Sequence, residues 1–421
     1  MPHDAAQSGG ASVEPARNPG AVLRNAGVEP ERVPIRAAGP AFMGVCVALI
    51  VIGVVAFAIA LSFGLAARAW QCYLVNLLFF LSVAQGGVVV SAAAYLSQGR
   101  WAGVTQYRLA EASGMFLPVG FVLFFGLFFG RTLIFPWVLH PVAQKAAWLN
   151  TPFLFARDGI ALLVMTVLSL GLMRASRSAE ALAWASNPAN IVMPPPAVRR
   201  LAVAVAIAFA AIYTLIAFDL IMSLAPAWHS TLFGAFFFGA SFLSGIAAMG
   251  FGAVLLRRRL GEHNVFRTPR VLHDLGKFLF AFSVFWVYLL FAQYIVIWYG
   301  DIPLETFFIV QRVYYPPWEA FSYAVVILMW VIPFTGLMGV RPKRTPAILG
   351  TVAFGVLVGA WIELYVLVVP SLSQRVVPFG WIELFISLGF LGIFLLSSVR
   401  GINLVSAAAS TEQLMEGEGH A

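Results

Sequence analysis

The sequence predicts an all-α polytopic membrane protein with ten transmembrane helices. Of its 421 residues, 61% are hydrophobic and only 10% are charged, whereas a soluble domain carries about 25% charged residues. The apolar residues form long blocks, and each block reaches the roughly 20 residues that a helix needs to cross a hydrocarbon core. Strands that alternate between apolar and polar residues are absent from the sequence. A water-soluble globular protein and a transmembrane β-barrel are therefore both excluded.

The apolar blocks divide the chain into predicted spans, tails and loops. A disordered tail is predicted over residues 1–40, which are rich in Ala, Pro, Gly and Arg and lack an apolar core of the signal-peptide type. Four spans occupy 41–174, and six more occupy 200–399. The loop 175–199 contains three consecutive prolines, which cannot continue a helix, and 400–421 form a C-terminal tail. The predicted spans are 41–65, 69–97, 111–136, 151–174, 200–224, 229–256, 271–299, 318–339, 345–370 and 378–399.

Basic residues in the loops set the predicted orientation. Nineteen Lys and Arg residues fall on one side of the membrane, five fall on the other side, and two lie within spans. Because cytoplasmic loops carry an excess of Lys and Arg, both termini are predicted to be cytoplasmic, which requires an even number of spans. The net charge of +8 is therefore interpreted as topology-setting loop charge, and no nucleic-acid partner is expected. A short amphipathic piece at 98–110, which contains Tyr107 and Arg108, is predicted to lie in the membrane interface.

Cysteine and histidine positions exclude several redox centres. Cys46 and Cys72 lie in apolar blocks and form no CxxC or CxxCH pattern, which excludes covalent haem c and cysteine-ligated iron–sulfur clusters in this chain. His140 and His229 fall in outer loops or at span ends. No two histidines lie at mid-membrane depth on facing helices, as a bis-histidine haem b would need. We therefore expect no cofactor, no metal site and no catalytic residue in the chain itself.

Ionisable residues within the spans are the candidate functional residues, because a charged group at membrane depth costs roughly 3 kcal/mol or more. Asp158 follows Arg157 in the fourth span. Asp219 in the fifth span and Glu363 in the ninth have no obvious neighbour of opposite charge, which favours a functional role for both. A predicted proton path consists of Asp158, Asp219, His229, Asp274, Lys277, Tyr288, Glu363 and Glu383.

Helical spacing groups some of these residues into two tracks. At 100° per residue, Asp158 shares a face with Ser169, which is about 16 Å deeper in the fourth span. The second track lies on one face of the seventh span and begins at the cytoplasmic side of the membrane. The two tracks therefore have the layout of two proton half-channels. The tracks are Asp158, Leu162, Met165 and Ser169, and Asp274, Lys277, Ala281 and Tyr288. The alternative interpretation is an interfacial ion pair between Asp274 and Lys277 and a local pair between Arg157 and Asp158.

Two stretches in the second half of the chain carry a family resemblance. They are 218–239, FDLIMSLAPAWHSTLFGAFFFG, and 273–305, HDLGKFLFAFSVFWVYLLFAQYIVIWYGDIPLE. Together they resemble the NrfD/PsrC-like membrane subunits of bacterial redox complexes. Within that group they look most like the second such subunit (ActF) of alternative complex III, a quinol:electron-acceptor oxidoreductase. The stretch from Trp318 through Pro333 to the basic residues Arg341, Lys343 and Arg344 also fits.

The resemblance implies a fold, partners and a role. The second to fifth and the sixth to ninth spans would form two four-helix bundles, with flanking helices, in the bacterial inner membrane. The implied partners are a paralogous quinol-binding membrane subunit, a periplasmic iron–sulfur subunit, a multihaem cytochrome c subunit and lipids. Haem c and iron–sulfur clusters would belong to those partners, and a quinol such as menaquinol would be the substrate of the complex. This chain would contribute structure, a homologue of the quinone site and a proton path.

Two other functions remain open at this point. A sole quinone-binding membrane anchor of a polysulfide- or nitrite-reductase-type complex would be the one subunit of this kind in its operon, instead of one of two. A secondary transporter would have broken spans at matching positions in two repeats, but Pro118 and Pro333 do not form a matched pair. A transporter would also be stable and active alone, whereas a subunit needs its partners.

Overall fold

The computed structural model describes residues 39–99, 103–178, 181, 193–257, 268–373 and 377–418. Within these residues the chain is all-α, without strands, and ten helical segments are long and apolar enough to cross a membrane. The predicted all-α, multi-pass membrane fold is therefore confirmed. The segments are α1 (Pro40–Ser62), α2 (Ala66–Leu96), α3 (Tyr107–Ile134), α4 (Thr151–Ala175), α5 (Pro196–Leu224), α6 (Phe233–Leu256), α7 (Pro269–Gly300), α8 (Trp318–Gly336), α9 (Pro346–Ser371) and α10 (Trp381–Asn403).

Local sequence signals explain where several segments begin. Proline is the first residue of α1, α5, α7 and α9, where its fixed φ suits the helix and its missing N–H would have no partner. The start of α4 is capped instead by Asn150, whose side-chain oxygen accepts a hydrogen bond from the Phe153 backbone N–H at 3.0 Å. Between these ends, the long helices keep their backbone polar groups paired, as a hydrocarbon environment requires.

Helix contacts divide the segments into two four-helix bundles and a flanking pair. In the first bundle, α2 and α4 each contact both α3 and α5. In the second bundle, α6 and α8 each contact both α7 and α9. The flanking helices α1 and α10 pack against each other, and α10 also packs against α2. We call the end that carries the loops after α3, α5 and α7 the outer end, because the sequence predicts that it faces away from the cytoplasm.

The helices α2 and α6 form the seam between the two bundles. Gly86 of α2 lies against Gly245 of α6, and a Cβ on either glycine would overlap the backbone of the other helix. Small residues allow this close approach of helices in membranes. Beside the glycines, Ser241 Oγ donates a hydrogen bond to Ser82 Oγ at 3.0 Å. The seam therefore joins the bundles largely through direct contact between backbones.

The start of the third span differs from the prediction. The helix Gly103–Ala112 leads directly into α3, so the span begins near Tyr107 and not at 111. Tyr107 and Arg108 are buried, because this helix packs against α2 and α10. The amphipathic piece predicted at 98–110 is therefore buried over residues 107–110; residues 100–102 lie outside the described residues.

Other boundaries also shift. The sixth span begins at Phe233 and not at 229, which leaves His229 in the preceding loop. The last helix continues from Trp381 to Glu418, so the predicted tail 400–421 is helical as far as it is described. The predicted disordered tail 1–40 lies outside the described residues except for its last two positions. Residues 179–180 and 182–192 of the predicted proline loop also lie outside them.

Candidate functional site

A charged cluster lies at the outer end of the first bundle, between α4, α5 and the loop before α4. Arg157 Nη2 lies 2.6 Å from Asp219 Oδ2, and Arg157 Nε donates to the same oxygen at 2.8 Å. Trp148 Nε1 donates to Asp219 Oδ1 at 2.8 Å. The guanidinium carbon of Arg157 also lies 3.9 Å from the centroid of the Trp148 ring, within cation–π range. The expectation that Asp219 has no neighbour of opposite charge is therefore wrong.

Asp158 lies beside this cluster but accepts no hydrogen bond from its N–H groups. The residue is 0% exposed. Its carboxyl group interacts with the carboxyl group of Asp219, but no N–H group of the described residues donates a hydrogen bond to either of its oxygens. Arg157 Nε is 3.9 Å from Asp158 Oδ1, too far for a hydrogen bond. Arg157 makes its short contacts with Asp219 on the next helix, so the local Arg157–Asp158 pair is not the main interaction of either residue. A buried carboxyl group beside an ion pair is a group suited to proton exchange.

The backbone of α5 departs from regular helix where it presents Asp219. Residues Ala217–Ile221 form a π-helical turn, which inserts an extra residue into the turn and changes the direction of the side chains. Such bulges are frequent at functional sites. A second π-helical turn, Ile327–Val331, lies in α8 just before Pro333.

Polar groups continue inward through the first bundle. Ser169 of α4 is fully buried and is hydrogen-bonded to the side-chain amide of Gln85 on α2 at 3.1 Å. Leu162 and Met165, which lie between Asp158 and Ser169 along α4, are also buried. The predicted face of α4 therefore lies inside the protein, with a polar group at each end and an apolar interval between them.

A second charged cluster lies at the inner end of the first bundle. Arg108 Nη1 lies 3.1 Å from Glu111 Oε2, and the guanidinium donates to Ser176 Oγ at 2.9 Å and to the Ser176 carbonyl at 2.8 Å. Ser91 Oγ donates to Glu111 Oε1 at 3.1 Å. Arg108 is 5% exposed and Glu111 is 2% exposed. The cluster therefore connects the ends of α2 and α4 to the start of α3.

The inner end of the second bundle carries the predicted pair on α7. Lys277 Nζ lies 2.6 Å from Asp274 Oδ1, and His273 Nδ1 lies 3.8 Å from the same oxygen. Lys343 lies nearby, in the segment between α8 and α9. Its pKa is lowered mainly by burial and to a smaller degree by the positive charge of Lys277. The Lys277 side chain is 56% exposed, and Tyr288 on the same face is 62% exposed. This face of α7 is therefore on the outside of the chain and does not line an internal passage.

Glu363 of α9 lies in the outer half of the second bundle. It is 5% exposed, and its Oε1 accepts a hydrogen bond from Trp286 Nε1 at 2.8 Å. Within the described ranges it forms no ion pair. Its carboxylate lines a cavity of about 270 Å³ that is bounded by α6 to α9 and by the connecting helix Pro303–Val313.

The remaining two predicted residues have partners elsewhere. Glu383 of α10 lies 2.8 Å from Arg68 at the start of α2 and accepts two hydrogen bonds from that side chain. This pair attaches a flanking helix to the first bundle. His229 is 65% exposed, and its Nε2 lies 3.6 Å from Glu305 Oε1.

Among the eight predicted proton-path residues, the structure places Asp158 beside Asp219 and Lys277 beside Asp274, whereas the other four lie at separate places. Sequence reasoning missed the inner cluster, although Arg108 and Glu111 stand three residues apart, a spacing that permits a helical ion pair. It also missed Gln85 and Trp148. A single polar residue in an apolar helix gives no signal about the partner that it meets on another helix.

The fold and these clusters define an all-α, multi-pass membrane protein that buries charged groups at both ends of its first bundle. No protein-family model matches the chain, and no curated protein shows a significant match to it.

Proposed function

We propose that the chain is an integral membrane subunit of a quinol:electron-acceptor oxidoreductase complex in the bacterial inner membrane, similar to alternative complex III. The proposal is supported by the sequence resemblance in 218–344 and by the two four-helix bundles with flanking helices that such subunits have. Electrons would pass through an iron–sulfur subunit and a multihaem cytochrome c subunit. This chain would serve as a subunit without its own redox centre, beside a paralogous quinol-binding subunit.

The role that the geometry supports best is proton transfer through the first bundle. The observation that carries this role is Asp158, a fully buried acid that lies beside the Arg157–Asp219 pair and accepts no hydrogen bond from an N–H group of the described residues. The oxidation of one quinol releases two protons and two electrons, and a carboxylate near the outer end is a suitable proton acceptor.

A proton route inward from Asp158 would use groups on three helices. The Ser169–Gln85 pair is the next polar site, and Glu111 with Ser91 lies beyond it at the inner end. The interval from Asp158 to Ser169 is about 16 Å along α4, and transfer across it requires ordered water beside the apolar side chains. The exposed face of α7 that contains Asp274 and Lys277 would join such a route only where a partner subunit covers it.

Copurification tests membership in the complex. A tagged native chain is extracted in mild detergent, and the associated proteins are identified together with a reduced-minus-oxidised spectrum. We expect a multihaem cytochrome c, a large iron–sulfur protein and a second ten-span paralogue. A molybdopterin subunit without a paralogue would instead indicate the sole membrane anchor of a reductase. A colourless chain that purifies alone would contradict membership in either kind of redox complex.

The proton role is tested in the intact complex with Asp158→Asn. The substitution keeps the size of the side chain but removes the group that exchanges protons. We expect slower quinol oxidation, or fewer protons released per electron, with normal subunit assembly. Glu383→Gln is the matched control, because Glu383 is also a buried acid but is paired with Arg68 at the flanking helix. Equal turnover and proton stoichiometry in Asp158→Asn and the native complex would exclude this role.

A secondary transporter is the second candidate, and the π-helical turns in α5 and α8 favour it. Discontinuous helices form the substrate sites of many transporters. The copurification experiment separates the two candidates, because a transporter would purify without haem-containing partners and would move a solute in vesicles containing this chain alone.

A further inference from the structure

The inner end of the second bundle is strongly basic, and one short helix holds part of this charge against α7. Over the described residues 250–257, 268–280 and 330–352, six Lys and Arg residues stand against one acid, Asp274. The helix Val340–Arg344, which we call the basic helix, packs on α7. Gly276 of α7 permits this contact, because a Cβ there would lie 2.9 Å from Lys343 Cβ, closer than non-bonded carbon atoms approach. Packing therefore fixes the basic helix in place.

Charged side chains from α7 and the basic helix meet at this contact with an excess of positive charge. The charges that act on His273 are those of Asp274, Lys277, Lys343 and Arg344. The one acid among them is already engaged, because Asp274 Oδ1 lies 2.6 Å from Lys277 Nζ. Within the described residues, Lys343 and Arg344 form no ion pair. Two cations of the basic helix are therefore left for an anion from outside the chain.

The burial of Lys343 sets this cluster apart from ordinary loop charge. The positive-inside rule requires basic residues in the cytoplasmic loops, but it does not require any of them to be buried. Lys343 is 8% exposed. Its ammonium group donates one hydrogen bond within the described residues, to the Met338 carbonyl at 3.3 Å, although it can donate three. Because a buried charge without full pairing is unfavourable, contact with an anion would stabilise this arrangement.

An exposed apolar strip runs outward along α7 from the same cluster. At 100° per residue, Val284, Tyr288 and Phe291 share the face of Lys277, and all three are exposed. Tyr288 lies about 16 Å from Lys277 along the helix axis, which is about half the thickness of a hydrocarbon core. The strip therefore has the position and length to contact an acyl chain whose headgroup lies at the basic helix.

We propose that the inner end of the second bundle binds an anionic phospholipid between α7 and the basic helix. A phosphate of the headgroup accepts hydrogen bonds from Lys343 and Arg344, and an acyl chain lies along the exposed strip of α7. Basic pockets between helices on the cytoplasmic side bind such headgroups. A lipid with two phosphates fits best, because three cations and one acid leave a net charge of +2. A zwitterionic headgroup would leave this charge uncompensated.

Native mass spectrometry of the full chain in detergent measures this binding. The probe is tetraoleoyl diphosphatidylglycerol, and dioleoyl phosphatidylcholine is the zwitterionic comparison. Arg344→Gln removes one donor, whereas Gly276→Ala pushes the basic helix away from α7 without changing any charge. Arg174→Gln is the matched control, because Arg174 is also exposed at the inner end but belongs to the first bundle.

We expect the native chain to bind one molecule of the probe more tightly than phosphatidylcholine. Its affinity for the probe should fall about tenfold or more in Arg344→Gln and in Gly276→Ala, and it should stay native in the control. Equal affinities in the native chain, Arg344→Gln and Gly276→Ala would exclude a defined site at the basic helix.

Two other results would also overturn the inference. A loss in Arg174→Gln as large as that in Arg344→Gln would indicate attraction to the whole basic surface. Displacement of the probe by millimolar inorganic phosphate would identify a site for a soluble anion instead of a lipid. If Gly276→Ala does not purify as a monodisperse protein, the comparison of Arg344→Gln with Arg174→Gln decides the outcome. The assay contains no partner subunit and no quinol, so either outcome leaves the proposed function to its own tests.

Discussion

The two bundles share one architecture but differ in the partners of three buried acids, Asp219 and Glu111 in the first bundle and Glu363 in the second. In the first bundle, Asp219 is held by Arg157 and Trp148, and Glu111 is held by Arg108 and two serines. In the second bundle, Glu363 has a neutral indole donor and an open cavity. In these polar networks of the first bundle each member depends on the others, whereas Glu363 in the second bundle lines a cavity and has one hydrogen-bond donor among the described residues. The two arrangements should respond differently to the same kind of substitution.

The largest effect is expected from Arg157→Leu, which leaves Asp219 and Asp158 buried together without a cation. Removing one partner of a buried ion pair costs about 3–5 kcal/mol, so the unfolding midpoint of the purified chain should fall sharply. Arg270→Leu, an exposed arginine at the start of α7, is the control and should unfold like the native chain. Equal midpoints for the two variants would mean that the outer cluster does not stabilise the first bundle.

A smaller loss is expected from Gly245→Ala at the seam. The added Cβ would overlap the backbone of Gly86 and Gly87, and overpacking of this kind costs about 1–3 kcal/mol. Gly44→Ala in α1 is the control, because a Cβ there meets no atom within 4 Å. Thermal unfolding of both variants in the same detergent measures the difference. A Gly245→Ala variant as stable as Gly44→Ala would show that the bundles tolerate separation.

A still smaller loss is expected from Arg68→Met, which removes the partner of Glu383. The Arg68 side chain is 30% exposed, whereas that of Glu383 is 2% exposed. Water therefore screens only part of the interaction, and the loss should lie at the upper end of the about 0.2–1 kcal/mol that exposed pairs contribute. Thermal unfolding measures this loss, and cysteine-specific crosslinking between α10 and α2 would report whether the flanking helix loosens. A loss as large as that in Arg157→Leu would contradict the distinction between an interior network and a peripheral pair.

The smallest effect is expected from Glu363→Gln. The amide oxygen still accepts the hydrogen bond from Trp286 Nε1, and no cation loses a partner. The unfolding midpoint should therefore stay the same or rise slightly, whereas Asp219→Asn should lower it by leaving Arg157 without its carboxylate. If the unfolding midpoint fell by a similar amount in Glu363→Gln and Asp219→Asn, the proposed difference between the two bundles would be wrong.

More of the fold than of the candidate site could be predicted from the sequence. Hydropathy blocks and loop charges are local properties, and they gave all ten spans to within a few residues at most ends. The partner of Asp219 could not be predicted from the sequence, because Arg157 lies on another helix. The π-helical turn that directs Asp219 toward Arg157 is not predicted by any residue pattern. The outward direction of Tyr288 was missed for a related reason. Helical spacing shows that residues share a face, but not whether that face meets lipid or protein.

The glycine contact at the seam limits how this molecule can move. Gly86 and Gly245 leave no layer of side chains that could slide or change rotamer between α2 and α6, and packed interfaces have few intermediate arrangements. Rocking of one bundle against the other, which many transporters use for alternating access, would have to break this contact. Motion within the chain is therefore expected at the π-helical turns of α5 and α8, where the helices can flex while the two bundles keep their relative position.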